Sequence, residues 1–270
     1  MKLGLGITRF NKILTDSLDP DALIFIAAEE AAGATFSLSE IKAINNLFLN
    51  LKGQGPNNST TDFWTTNKVR RYWPLVGASA APNAIDVRLN TGVWAGGWTH
   101  SSNGAKGNAS NTTFDSGLSF SGEAGGDWGH GMYIDDFTSG EWFGGYIRYA
   151  PARISAMRTL FPNGGYYVRS SGVTYVGDTF TGARSTMRIG GDVEVVADST
   201  FITSGASADD GDDAFTFLFG AIRNDAFGGV GFVDTRFKSM YFTYGITRAE
   251  AITLQNIDNA FQTALGRNTY

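Results

Sequence analysis

His100 and His130 are the two histidines of a 270-residue chain without cysteine, so acid–base or metal chemistry would have to be built mostly from carboxylates. His100 lies in "GGWTHSSNGAKGN", residues 96 to 108. There Trp98 offers a ring to stack on a sugar, His100 a hydrogen-bonding tip, and Ser101, Ser102, Asn103 and Asn108 further polar contacts. The same stretch also makes a structured turn in which Thr99, Ser101 and Asn103 bond nearby backbone while Trp98 fills the core, and the residue types favour that reading. His130 lies in "GGDWGHGMYIDDF" beside Trp128, Asp127, Asp135 and Asp136. An acidic groove would need both Asp135 and Asp136 on one side, but neighbours on a strand point to opposite faces.

A glycosidase needs two carboxyl groups a few ångströms apart, which a sandwich supplies from alternate positions of one strand. Acid-x-acid spacing occurs at Asp19/Asp21, Asp192/Glu194 and Asp210/Asp212. Only Asp192 and Glu194 fall in a strand-like run, "GGDVEVV", which reads as a solvent face alternating with Val193, Val195 and Val196 inside. The run Asp209–Asp213, with Asp209, Asp210, Asp212 and Asp213 around Gly211, is the chemistry calcium prefers, yet it lacks the alternating ligand order of an EF-hand loop and reads as a solvated turn. No nucleophile elbow, phosphate loop or dinucleotide fingerprint occurs. The expected sets of catalytic, cofactor-binding and metal-binding residues are therefore empty, and no cofactor is expected.

Positioning these residues falls to a chain with two grammars. Gly contributes 35 residues and aromatics 13%, against 17% charged, a balance that suits short strands and tight turns. A net charge of -5 without long runs of one sign supplies no field for nucleic acid, and no apolar stretch is long enough for a membrane span or signal segment, which makes the cytoplasm the expected place of synthesis. Residues 1–18 form an unpatterned lead, expected to be an arm. Asp19 and Pro20 open one helix that Gly33 stops, and Ser37 with Glu40 caps another that ends before Gly53. "FWTTNKVRRYWPLVG" is expected to add a further helical turn or two, so that residues 19–76 form a helical segment packed on a sandwich. From 86 to 244 short alternating runs spaced by Gly, Asn and Asp predict an antiparallel sandwich or barrel. Thr247 and Glu250 then cap an amphipathic helix, placing one helix at the end of a sandwich unit over residues 77–270.

Five stretches, "IKAINNLFLNLKGQG", "RRYWPLVGASA", "GGWTHSSNGAKGN", "FTFLFGAIRNDAFG" and "ITRAEAITLQNIDNAFQTALGR", resemble tailed-bacteriophage virion structural proteins that carry a concanavalin A-like, laminin-G-like jelly roll. The resemblance runs from about residue 37 to 267 and implies a mainly β protein: a concanavalin A-like antiparallel β-sandwich with N-terminal helices and one C-terminal amphipathic helix. It implies a non-enzymatic component of the tail, baseplate, fibre or capsid surface that assembles in the host cytoplasm with other virion proteins, as a homo-oligomer for which a trimer is the working guess. Trp98 and His100 carry over as family-typical residues without a catalytic role. The alternative is a module that binds host-surface glycan through loop aromatics among Trp94, Trp98, Trp128 and Trp142, with Trp98, His100, Asn103 and Trp128 as the expected contacts. A hydrolase would need converging acids, and the sequence offers none.

Overall fold

The computed structural model describes residues 17–119, 127–140, 142–149, 152–160, 163–168, 171–175, 181–189, 192–206, 216–224 and 228–268. All but the last two residues of the expected arm, and the whole Asp209–Asp213 turn, lie outside them.

Local chemistry sets the helices. The helix α1 (Pro20–Ala31) begins at Asp19, whose carboxylate accepts the Asp21 and Ala22 amides at 2.9 and 3.3 Å. In α2 (Leu38–Leu51) the Ser37 hydroxyl accepts from the Glu40 amide while the Glu40 carboxylate accepts from the Ser37 amide, a closed capping box. A single turn, α3 (Ala80–Asn83), follows, and α4 (Arg248–Ala264) repeats the box with Thr247 and Glu250. All three punctuation sets expected from the sequence are present.

The body is a mainly β, jelly-roll-like antiparallel sandwich. Sheet I runs in the order β13 (Thr200–Ala206), β12 (Asp192–Ala197), β11 (Gly182–Ile189), β6 (Trp128–Gly140), β17 (Val233–Tyr244), β4 (Gly104–Lys106), β3 (Thr99–Ser101), with β1 (Val69–Trp73) also on β17. Sheet II runs β10 (Ser171–Tyr175), β9 (Asn163–Val168), β8 (Ala152–Leu160), β7 (Trp142–Tyr149), β14 (Thr216–Phe219), β5 (Thr113–Ser119), β2 (Val93–Ala95). To β7 it adds β15 (Ile222–Asn224) in parallel, and β16 (Gly228–Val230) pairs with β15.

Two apolar cores result. Between the sheets lie Trp73, Phe114, Met132, Phe143, Phe217, Phe219, Phe237 and Phe242, with Trp73 edge-on to Phe114 at 5.3 Å and to Phe242 at 6.1 Å. On the other side of sheet I, Phe25, Phe48, Leu254, Ile257 and Phe261 of the helices pack on Val69, Tyr72 and Tyr241. The molecule is thus three layers, helices on sheet I on sheet II. Strand β17 is buried on both faces along its second half, and its sequence "FKSMYFTY" reads accordingly as near-continuous apolar and aromatic residues.

The third helical stretch expected from "FWTTNKVRRYWPLVG" is instead one turn followed by a strand. The Asp62 carboxylate accepts the Trp64 and Thr65 amides, both at 2.9 Å, and winds a turn that Asn67 ends in the left-handed region at φ 54°. Beyond it Tyr72 pairs with Tyr241 and Trp73 with Met240 in β1. Consecutive large rings that are wanted by two different cores suit a strand, which sends neighbours to opposite faces, and not a helix.

Candidate functional site

The stretch around Trp98 and His100 forms a corner where the two sheets meet. Strand β2 is the edge of sheet II and β3 the edge of sheet I, so Gly96, Gly97 and Trp98 carry the chain from one sheet to the other. Trp94 turns its ring inward, 4.2 Å from Phe114, 4.9 Å from Trp98 and 4.7 Å from His100. Trp98 reaches across to Phe237 of sheet I at 5.8 Å while its Nε1 donates to the Thr113 carbonyl of sheet II at 3.0 Å. The two rings close the open side of the sandwich and stay partly exposed.

Glycines permit this approach. A Cβ on Gly220 would stand 2.7 Å from the Trp98 ring, and one on Gly96 only 2.0 Å from the Asn111 carbonyl oxygen; both residues have positive φ, 81° and 85°. The Asn111 Oδ1 accepts from the Gly97 amide at 3.1 Å and from Asn108 Nδ2 at 2.9 Å. Asn108 Oδ1 in turn accepts the Ser110 and Asn111 amides at 3.0 and 3.2 Å, so two side-chain amides lock the corner from outside. Asn111 lies just beyond residues 96–108, and the sequence signal for it is the repeated Asn in "GNASNTT", a spacing that side-chain turns use.

His100 is half-buried and faces Asn83 on α3. Asn83 Oδ1 accepts the Gly77 amide at 2.8 Å, which leaves its Nδ2 to donate at 3.2 Å to His100 Nδ1. That nitrogen is therefore the acceptor, the proton sits on Nε2, and burial holds the imidazole below its ordinary pKa. Asn103 is exposed at the tip of the β3–β4 hairpin, where its amide donates to Ser101 Oγ at 3.1 Å. Of the local turn bonds expected from the side chains of Thr99, Ser101 and Asn103, the one from Ser101 is thus present, with Asn103 taking part through its backbone amide.

Other expected contacts are placed differently. Trp128 is 1% exposed, 5.2 Å from Tyr244 and beneath the Arg70 guanidinium, and Trp142 is 7% exposed, so neither presents a ring face to a ligand. The reason is the phase of β6 and β7, which turns these rings toward packed layers of the sandwich. His130 is buried against Phe217 at 4.6 Å with the Ala156 backbone as its polar neighbour, and burial pushes its pKa down to about 3. It takes no part in a groove.

Most of the carboxylates that could have done chemistry are held in ion pairs. Asp19 and Asp21 both hold Lys52 Nζ, at 2.8 and 2.6 Å. Asp135 and Asp136 do not diverge as plain strand geometry predicts. A register shift beside them and a positive φ of 52° at Asp136 let both reach Arg236, at 3.5 and 3.0 Å, while Asp135 also takes Lys238 at 2.6 Å. Glu194 is not on a solvent face either: it is buried with the valines, because Arg248 of α4 covers it with two hydrogen bonds of 2.7 Å. Asp192 is exposed. Among the described residues no cluster of His, Asp and Glu could hold a metal, and no helix is long and apolar enough to cross a membrane.

No protein-family model matches the chain, and no curated protein matches it. Among solved structures it is similar to a mutant of Trypanosoma rangeli sialidase displaying trans-sialidase activity, with a TM-score of 0.53, 10% identity, and 92% of this chain and 39% of that one covered. That likeness concerns the fold alone, and the chain spans 39% of the sialidase. It is also similar to domain 4 of an extracellular GH43 arabinanase from Geobacillus stearothermophilus, solved with arabinotriose, at a TM-score of 0.47 and 15% identity over 69% of this chain and 98% of that one. A carbohydrate-binding module from Bacillus subtilis is matched at a TM-score of 0.35 and 12% identity, covering 56% of this chain and 94% of the module.

Proposed function

We propose that this chain is a glycan-binding β-sandwich module whose contact surface is the Trp94–Trp98 corner. The observation that carries the reading is two tryptophan rings, partly exposed and held in place by the Asn108–Asn111 amide lock, with polar side chains around them. Rigid aromatic anchors lose little conformational freedom on binding, and the exposed part of an indole offers apolar surface for the C–H groups of a sugar to pack on while neighbouring amides serve its hydroxyls. Asn111 Nδ2 remains a donor after its Oδ1 is used twice. Beside Trp94 in β2, Val93 is 64% exposed and adds apolar surface to this edge of the sandwich. The expected contact set is revised to Trp94, Trp98 and Asn111, with His100 as the group that orients Trp94 from behind.

The reading is non-catalytic, since Glu194 and the paired aspartates are neutralised by cations and do not converge on the rings. A glycan array tests it: saturable binding is expected for the native chain and its loss for Asn111→Ala and for Thr99→Arg, an exposed position next to Trp98 whose replacement leaves the core alone. Folded variants that bind as well as the native chain would remove the corner as the site.

The resemblance of the five sequence stretches to phage virion proteins supports a second, compatible reading, in which the module is displayed on a particle, attached to other virion proteins through residues 1–18 and assembled as a homotrimer. Incorporation of a chain lacking residues 1–18 into particles at the native level would overturn the attachment role.

A further inference from the structure

We infer that the corner takes uncharged saccharides and rejects sialylated, uronic or sulfated ones; the inference rests on the glycan-binding reading above. Between Leu89 and Ala105, and again between Gly107 and Phe114, the sequence has no Asp, Glu, Lys or Arg. The ring, rim and lock of the corner all come from these two stretches. The titratable group inside them, His100, is kept neutral by burial and by accepting from Asn83.

The cations that border the corner are already engaged. Lys106, across the hairpin from Thr99, is held by Asp136 at 2.9 Å and Asp234 at 3.4 Å. Arg223 is paired with Asp115, which stands across from Val93. Arg88, next to Leu89, donates to the Val69 and Trp64 carbonyls at 3.0 and 2.8 Å and stacks on Trp64. An anionic sugar would bring its carboxylate or sulfate to a surface where, among the described residues, the bordering cations are already paired and Asp115 and Asp136 are nearby, so it would lose hydration without gaining a charge-assisted bond. A neutral sugar needs only what is there: partly exposed indole surface and amide and hydroxyl groups.

The test measures binding of the full chain to immobilised neutral polysaccharides (a glucan, a mannan, a galactan) and to sialylated, uronic-acid and sulfated ones, each at low and at high salt. Expected are saturable binding to neutral polymers, an affinity that changes less than about twofold with salt, a loss of about tenfold or more in Asn111→Ala, and no change in Lys106→Gln. Selective binding of anionic glycans that falls with salt and with Lys106→Gln would overturn the inference while leaving a glycan-binding module. Absence of saturable binding to every glycan would overturn the module reading, and this inference with it.

Discussion

Glu29 shows how a single buried group sets a pH dependence. It lies on the core face of α1, fully buried, with no hydrogen bond to either oxygen, and burial pushes its pKa to about 9 from an ordinary 4.5. Its carboxyl sits against Gly77, where a Cβ would approach Oε2 to 3.0 Å, and no charge faces it. The folded chain therefore binds a proton that the unfolded chain has released, so stability falls as pH rises from about 4.5 toward 9. Glu29→Gln should stabilise the protein by roughly 3 kcal/mol at pH 7 and by almost nothing at pH 4, read from urea unfolding at both values. His130 has the opposite sign: held neutral, it makes stability fall as pH drops from 6.5 toward about 3, and His130→Leu should flatten that acid limb. Glu29 falls in helical phase with Ala22, Phe25 and Ile26, so its position was legible in the sequence. What hid its burial was its chemistry, since "EE" on a helix reads as solvated. Glu194 misled in the same way, because its neutralising Arg248 lies 54 residues further along.

At the scale of elements, what is specified within one turn of chain was readable and what is specified by a distant partner was not. Asp19, the Ser37–Glu40 pair and the Thr247–Glu250 pair mark their helices by local hydrogen bonds. Strand β1 forms because β17, some 170 positions on, offers an edge, and no local pattern announces that. The end of α4 is another case. After Gly266 turns the chain at φ 67°, Arg267 buries its guanidinium and donates to the carbonyls of Pro74, Leu75, Ser102 and Lys238 at 3.0 to 3.2 Å and to Gln262 Oε1 at 3.0 Å. It ties the helical layer, the loop after β1 and the β3–β4 hairpin together, and it holds Leu75 in a left-handed conformation at φ 49°. Arg267→Met should cost about 3 kcal/mol or more, because four carbonyls lose their donor in a buried place, and Arg267→Lys should recover less than half, since an ammonium cannot span the fork. Melting temperatures of the three proteins check both statements.

For the whole molecule, the three-layer arrangement makes sheet I a wall shared by two cores. Trp73 and Phe242 face one core and Tyr72 and Tyr241 the other, the last two rings stacked at 5.9 Å. Loss of either core uncovers one face of the same strands, so tryptophan fluorescence and far-UV dichroism should trace one coincident denaturant transition; two separated midpoints would mean that the helical layer unfolds by itself. The sandwich class was legible in the alternation and the glycine-rich turns, and so was the packing of helices on it; that the helices of both ends build one core on the same face of sheet I was not, because its residues are some 200 positions apart. Strand β17 has a further consequence for biosynthesis. It fills the middle of sheet I, between β6 on one side and β1 and β4 on the other, although it is the last of the described strands to be made. A ribosome must therefore release residue 244 before β1, β4 and one edge of β6 can gain this partner, and then α4 before the outer face of sheet I is covered. Until that moment the nascent chain carries an open slot, which is when a holding chaperone has something to grip.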